Sequence, residues 1–120
     1  MTPVANVTDC IFCKIISGQM GTEFLFQDGD VVAFRDIHPL APQHILIVPR
    51  EHIAYLRDLK PEHRMLVGKL VEVANQLARS QGIADSGYRV VANCGVDGGQ
   101  GVPHIHFHLL GGRRLNVRLG

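Results

Sequence analysis

His104, His106 and His108 occupy every second position of His104-Ile105-His106-Phe107-His108-Leu109-Leu110. On a β-strand this spacing sets three imidazoles on one face and Ile105, Phe107 and Leu109 on the other, so apolar burial holds a chemically active row rigid. Neutral imidazole is a nucleophile, a general base and a metal ligand near neutral pH. Affinity tags lack such strict alternation, so the tract reads as folded structure. Cys10-Ile11-Phe12-Cys13 supplies two thiols at Cys-x-x-Cys spacing, which in a reducing compartment reads as metal-binding or redox-active. The loop Gly95-Val96-Asp97-Gly98-Gly99-Gln100-Gly101-Val102-Pro103 carries four glycines and runs directly into the histidines. Its backbone N–H groups can approach an anion closely, although it fits neither the Walker pattern nor the dinucleotide fingerprint.

These groups need elements to hold them. Asp9 is a suitable N-cap and Gly18 a suitable stop for a short helix over residues 10–17. Residues 23–27 and 31–35 read as two antiparallel strands joined by Asp28-Gly29-Asp30, with glycine supplying a positive backbone angle in the turn. Asp36-Ile37-His38-Pro39-Leu40-Ala41-Pro42 is turn-like, and residues 44–49 form a third strand. Between Pro61 and Gln81 the residues Leu66, Leu70, Val73 and Leu77 fall three or four apart, which predicts one long helix ended by Gly82. Residues 88–93 and 104–110 read as strands flanking the glycine loop. Strands, helix, strands in that order indicate an α+β domain with an antiparallel sheet, one long helix and a short N-terminal helix.

At 120 residues, 46% hydrophobic, the chain suits one compact domain. A formal net charge of +1 gives no global field of the kind that marks nucleic-acid or anionic-membrane binders. No apolar stretch is long enough to span a bilayer, so neither nucleic acid nor membrane is expected as a partner. Three cysteines give no secreted disulfide framework, and the expected compartment is the cytoplasm.

The histidine tract matches the histidine triad signature, His-φ-His-φ-His-φ-φ with φ apolar, at every position, and Gly111-Gly112-Arg113 follows as in the family's Hint-like branch. Phe34-Arg35-Asp36-Ile37, Pro42-Gln43-His44-Ile45-Leu46-Ile47-Val48-Pro49, Tyr88-Arg89-Val90-Val91-Ala92-Asn93 and Asp97-Gly98-Gly99-Gln100 resemble that branch in the same order. The resemblance implies a domain over residues 10–113, between tails at 1–9 and 114–120. It implies a homodimer whose sheets join into one continuous antiparallel sheet. It also implies hydrolysis of purine nucleoside 5′-phosphoramidates, AMP-like or GMP-like, through a nucleotidyl-histidine on His106. His108 and His44 would hold phosphate oxygens. Asp36 would bind the ribose hydroxyls, Phe12, Ile15, Phe34, Ile37 and Leu46 would wall the base, and Asn93, Gly99, Gln100 and Val102 would contact sugar and phosphate.

Gly101 departs from this pattern. Many Hint-like members carry there a serine that contacts the phosphate or leaving group, whereas glycine keeps only its N–H. Some bacterial members share the cysteine pair, which implies a structural zinc on Cys10, Cys13, His52 and His104 and no catalytic metal. Three other readings stay open: a dinucleoside polyphosphate hydrolase, a nucleotide-binding or scaffolding protein with weak catalysis, and a metal-storage protein or metal-dependent hydrolase using all three histidines. The C-terminal Leu115-Asn116-Val117-Arg118-Leu119-Gly120 lacks the tryptophan-containing end of Hint members, so substrate preference does not carry over.

Overall fold

The computed structural model describes residues 9–120, so the tail expected over residues 1–9 lies outside the described residues except for Asp9. Helix α1 (Ile11–Ile16) leads to a hairpin of β1 (Phe26–Gln27) and β2 (Val31–Arg35), followed by β3 (Gln43–Pro49). Tight helical turns at Leu56–Asp58 and Pro61–His63 precede the long helix α2 (Arg64–Ser80), after which come β4 (Tyr88–Ala92) and β5 (Phe107–Gly111). All pairings are antiparallel, in the order β1-β2-β3-β5-β4. The α+β architecture expected from the element order is the one observed.

Two apolar layers explain why the sheet holds its position. Leu70, Val73, Ala74, Leu77 and Ala78 form the buried stripe of α2 and pack on Val31, Ala33, Ile45, Ile47, Phe107 and Leu109. On the opposite face, Val32, Phe34, Leu46 and Val48 pack with Cys10 and Phe12 from the N-terminal segment. Each fully buried Val, Leu, Ile or Phe contributes about 1.5–3 kcal/mol, so this alternation fixes which face every strand residue takes. Ile45 and Ile47 bind β3 to α2, and His44 and Leu46 therefore face the other way. The register sets Leu46 opposite His108.

Several local expectations change. Cys10, not Asp9, caps α1, because the Cys10 sulfur accepts the Cys13 N–H at 3.4 Å. The first strand shortens to two residues. Gly29 does not take a positive φ; instead Asp28 Oδ1 accepts the N–H groups of Asp30 and Val31 at 2.8 and 2.9 Å and closes the hairpin turn itself. The long helix starts at Arg64 because residues 61–63 form a tighter turn, in which His63 Nδ1 accepts the Lys60 N–H. Among the described residues no helix is long and apolar enough to cross a membrane.

The triad strand is the largest correction. It begins at Phe107 rather than His104: Phe107 pairs with Ala92, the last residue of β4, and with Ile47, and before it the chain leaves the ladder although β3 runs on to Pro49 beside β2. His104 N–H closes a turn onto Val102 O, and Ile105 N–H donates to Ile53 O at 2.7 Å. The apolar alternation survives this break, with Ile105, Phe107 and Leu109 all buried. The three imidazoles, however, leave the chain from different backbone settings.

Candidate active site

His106 sits where the lead-in segment meets β5. Its Nδ1–H donates to His104 O at 2.8 Å, which leaves the Nε2 lone pair without a protein partner and accessible at the wall of a cavity of about 420 Å³. Phe12 packs edge-on against the ring at 4.9 Å and restricts its rotation. His108, one strand residue further on the same face, also lines the cavity.

His44 supports His108 from behind. Leu40 N–H donates to His44 Nδ1 at 3.1 Å, so the His44 proton lies on Nε2, 2.9 Å from His108 Nδ1 and 3.4 Å from Asp36 Oδ2. His108 Nδ1 therefore accepts, and its own proton lies on Nε2. The chain of tautomers ends with one imidazole offering a lone pair and its neighbour offering a donor. His44 does not line the cavity, so the direct phosphate contact expected of it becomes support of His108.

The apolar wall comes from Ile11, Phe12, Ile15, Phe34, Ile37 and Leu46, with Asp36 at its polar end and Gly99, Gly101 and Val102 on the loop side. Asp36 Oδ1 accepts the His38 N–H at 2.8 Å, which holds the carboxylate in place. Asn93 and Gln100 do not line the cavity. Asn93 Nδ2 donates to Gly98 O, while Gln100 Nε2 donates to Ala54 O and Val102 O and its Oε1 accepts the Gly95 N–H. Both side chains fasten the loop. The Gly99 and Gln100 N–H groups also turn inward, to Val96 O and Gly95 O, whereas Gly101 N–H has no protein acceptor among the described residues. Gly98 is required by packing, because a Cβ there would lie 2.4 Å from Cys94 O.

Three cavity residues, Ile11, Thr22 and Arg35, escaped the sequence reading. Ile11 lies one helical turn before Ile15, so the period of α1 could have found it. Thr22 had no signal; it reaches the cavity because Gly21, at φ +65°, turns the chain back.

Cys10, Cys13, His52 and His104 converge on the other side of His104, their donor atoms all within 4.8 Å of one another. Cys13 Sγ lies 3.2 Å from His52 Nδ1, Cys10 Sγ lies 3.4 Å from His104 Nδ1, and the two Nδ1 atoms are 3.1 Å apart. His104 Nε2–H donates to Pro49 O, so a lone pair faces the cluster at Nδ1. Burial, then Cys10, pushes the Cys13 thiol up to about 11, and burial pushes His104 down to about 4. Lewis bases gathered this closely away from water repel one another unless protons or a cation lie between them; a cation would draw the Cys13 thiol down to thiolate and keep His104 neutral. The cluster can hold a metal ion.

The remaining histidines do not form a second such site. Asp36, His44 and His108 lie close together, but the Leu40 N–H at His44 Nδ1 keeps a proton on the nitrogen that a metal would need. His104 faces the cysteines while His106 and His108 face the cavity, so the three triad imidazoles do not converge on one ion.

A family model described as "Scavenger mRNA decapping enzyme C-term binding" matches residues 9–116. Over 111 residues the chain is 46% identical to a purine nucleoside phosphoramidase of Escherichia coli (strain K12), covering 92% of this chain and 93% of that one. Its fold superposes on a HIT family hydrolase from Legionella pneumophila Philadelphia 1 with a TM-score of 0.91 at 43% identity, covering 93% of this chain and 100% of the other. A histidine triad protein from Clostridium difficile gives a TM-score of 0.88 at 42% identity, covering 92% and 96%. The chain belongs to the histidine triad family. It is a hydrolase of that family.

In this histidine triad hydrolase, burial lowers both cavity imidazoles. His106 falls below its ordinary value, and His108 falls to about 4 through burial and then the neighbouring His106 and His44. An unfolded histidine titrates near 6.5, so between about pH 6.5 and 4 the unfolded chain binds more protons at His108 than the folded one. Stability must therefore decline as pH falls through that window. The His108→Gln variant, which keeps an acceptor for His44, is expected to lose less stability than wild type between pH 7.5 and 5 in urea denaturation. Equal losses would contradict the assignment.

Proposed function

We propose that the protein hydrolyses purine nucleoside 5′-phosphoramidates, AMP-like or GMP-like, through a covalent nucleotidyl-His106 intermediate. The observation that carries this reading is the free Nε2 lone pair of His106, aimed into the cavity because Nδ1–H is held by His104 O. In the first step His106 Nε2 attacks the α-phosphorus, a phosphorus–nitrogen bond to the ring forms, and the bond to the departing amine breaks. The amine takes up a proton from water at the open end of the cavity. Water then attacks the same phosphorus, the bond to Nε2 breaks, and a nucleoside monophosphate leaves with His106 restored.

His108 Nε2–H and Gly101 N–H supply the donors that offset charge on the phosphate oxygens. His44 keeps the His108 donor pointed there. Asp36 accepts from the ribose hydroxyls, and Phe12, Ile15, Phe34, Ile37 and Leu46 enclose the base. Asn93, Gly99, Gln100 and Val102 shape the loop that meets sugar and phosphate. The relevant relative is the E. coli purine nucleoside phosphoramidase.

For the cluster we infer zinc, held by Cys10, Cys13, His52 and His104. Tetrahedral zinc with two sulfur and two nitrogen ligands requires donor separations of about 3.3–3.8 Å; His104 Nδ1 lies 3.1–3.6 Å from the other three donors, Cys13 Sγ lies 3.2 Å from His52 Nδ1, and all four donors lie within 4.8 Å of one another. Zinc in such a closed set supplies structure rather than Lewis-acid catalysis. The functional unit we propose is the domain over residues 10–113, dimerising through β4. That strand is the longer of the two sheet edges, with Val90 partly exposed on it. Free cysteines throughout suit the cytoplasm.

Incubation with adenosine and guanosine 5′-phosphoramidates, with and without chelator, tests the reading directly. Release of nucleoside monophosphate in both conditions, with a nucleotidylated peptide containing His106 trapped by acid quench, is expected. Turnover of dinucleoside polyphosphates alone would replace this substrate class with the other.

Gly101 supports a second reading, a nucleotide-binding protein with slow turnover. A Cβ built on Gly101 meets nothing within 4 Å, and its φ is ordinary, so serine fits without strain. Gly101→Ser is expected to speed phosphoramidate turnover about tenfold, the effect of one added hydrogen bond of about 1.4 kcal/mol in the transition state. An unchanged rate in single-turnover kinetics would show that the missing hydroxyl does not limit the enzyme.

A further inference from the structure

The Cys/His cluster and the nucleophile share one residue. His104 faces the cluster through Nδ1, while its backbone carbonyl receives the His106 Nδ1–H at 2.8 Å. The ring is braced from behind by Pro49 O at 2.8 Å and His104 is fully buried, so its imidazole and its carbonyl are set within one packed unit. A second connection runs through α1. Phe12 lies between Cys10 and Cys13, and its ring packs edge-on against both His104 at 5.8 Å and His106 at 4.9 Å. Cys10 also caps this helix through the Cys13 N–H. Both supports of the His106 ring, one by hydrogen bond and one by packing, therefore originate in residues of the cluster or in the turn that it closes.

We propose that the Cys10–Cys13–His52–His104 cluster is a positioning element for the nucleophile: its loading with metal fixes His104 and Phe12, which together hold the His106 lone pair at the cavity. The proposal rests on His106 as the nucleophile. Loading then governs the rate of nucleotidyl transfer from bound substrate, in addition to holding the fold together. His104 and Phe12 act through His106 and are positioning residues in this role, and His52 sets the orientation from outside the cavity.

The test uses wild-type protein as purified, its chelator-treated form, and that form restored with zinc(II). Proton NMR reads the hydrogen-bonded His106 Nδ1–H, and rapid quench reads the single-turnover rate at saturating substrate. Metal removal is expected to shift or broaden the N–H signal and to slow nucleotidylation at least tenfold with the far-UV circular dichroism unchanged; zinc restores both. His52→Ala should reproduce the metal-free state, and His52→Cys, which returns a fourth donor, should recover it. Phe12→Leu keeps the metal and is expected to lose at least threefold in the rate at saturation, which keeps the test decisive if the stripped chain unfolds. An unchanged N–H signal and rate in folded metal-free protein would overturn the proposal, as would a wild-type rate in Phe12→Leu. Failure of the phosphoramidase reading looks different: no form turns over, loaded wild type included, while the N–H signal still follows metal content.

Discussion

Replacing His106 with alanine is expected to lower kcat for phosphoramidate hydrolysis by about 10⁴-fold or more while nucleotide affinity changes by about threefold or less. The size of the loss follows from the absence of a substitute. His108 offers a proton at Nε2 rather than a lone pair, because His44 donates to its Nδ1. His44 is buried behind it, and His104 is turned toward the cysteines. Affinity is largely spared because the apolar wall and Asp36 remain in place. Calorimetry with GMP beside steady-state kinetics checks both halves. Retention of more than a hundredth of wild-type kcat would remove His106 from the nucleophile's role, and loss of binding together with rate would make it a binding residue.

Removing Cys10 should affect stability as strongly as removing His106 affects rate. Cys10→Ala is expected to take the zinc content from about one per chain to near zero and to destabilise the fold by about 3–5 kcal/mol, a fall in Tm on the order of 10–25 °C. Three losses coincide at this position. A cluster donor disappears, the cap of α1 is removed, and a buried side chain packed with Phe12, Val32 and Leu46 is cut back. The sheet and α2 keep their own core on the opposite face, so the chain should still fold when cold. Metal analysis with thermal denaturation measures both effects. Full zinc occupancy with an unchanged Tm would show that the donors are not a metal site.

The sequence was most legible where local pattern and global packing agree. The stripe Leu70, Val73, Leu77 places α2, and the alternation Ile105, Phe107, Leu109 places the core side of the triad segment correctly even though the strand starts later. The four donors of the cluster, distant in sequence, lie together as the family resemblance implied. Three particulars needed tertiary structure. Whether His104 belongs to the strand depends on where β4 ends and on Ile53 taking the Ile105 N–H, which residues 104–110 do not encode. That Gln100 fastens the loop depends on Ala54 arriving from far along the chain. That His44 stands behind His108 depends on a backbone N–H at Leu40 choosing its tautomer. Periodicity reports which face a residue takes; it does not report which nitrogen of a ring carries the proton.

The pairing of Leu46 with His108 makes folding and chemistry a single decision. A one-residue slip of β5 along β3 would turn His108 toward α2 and bring Phe107 and Leu109 to the cavity. The apolar side of the sheet therefore proofreads the polar side: the energy that rejects a misplaced leucine also rejects a misplaced imidazole. A population of refolded molecules then divides into active and inactive fractions rather than spreading over intermediate activities, and the recovered activity counts the correctly registered sheets.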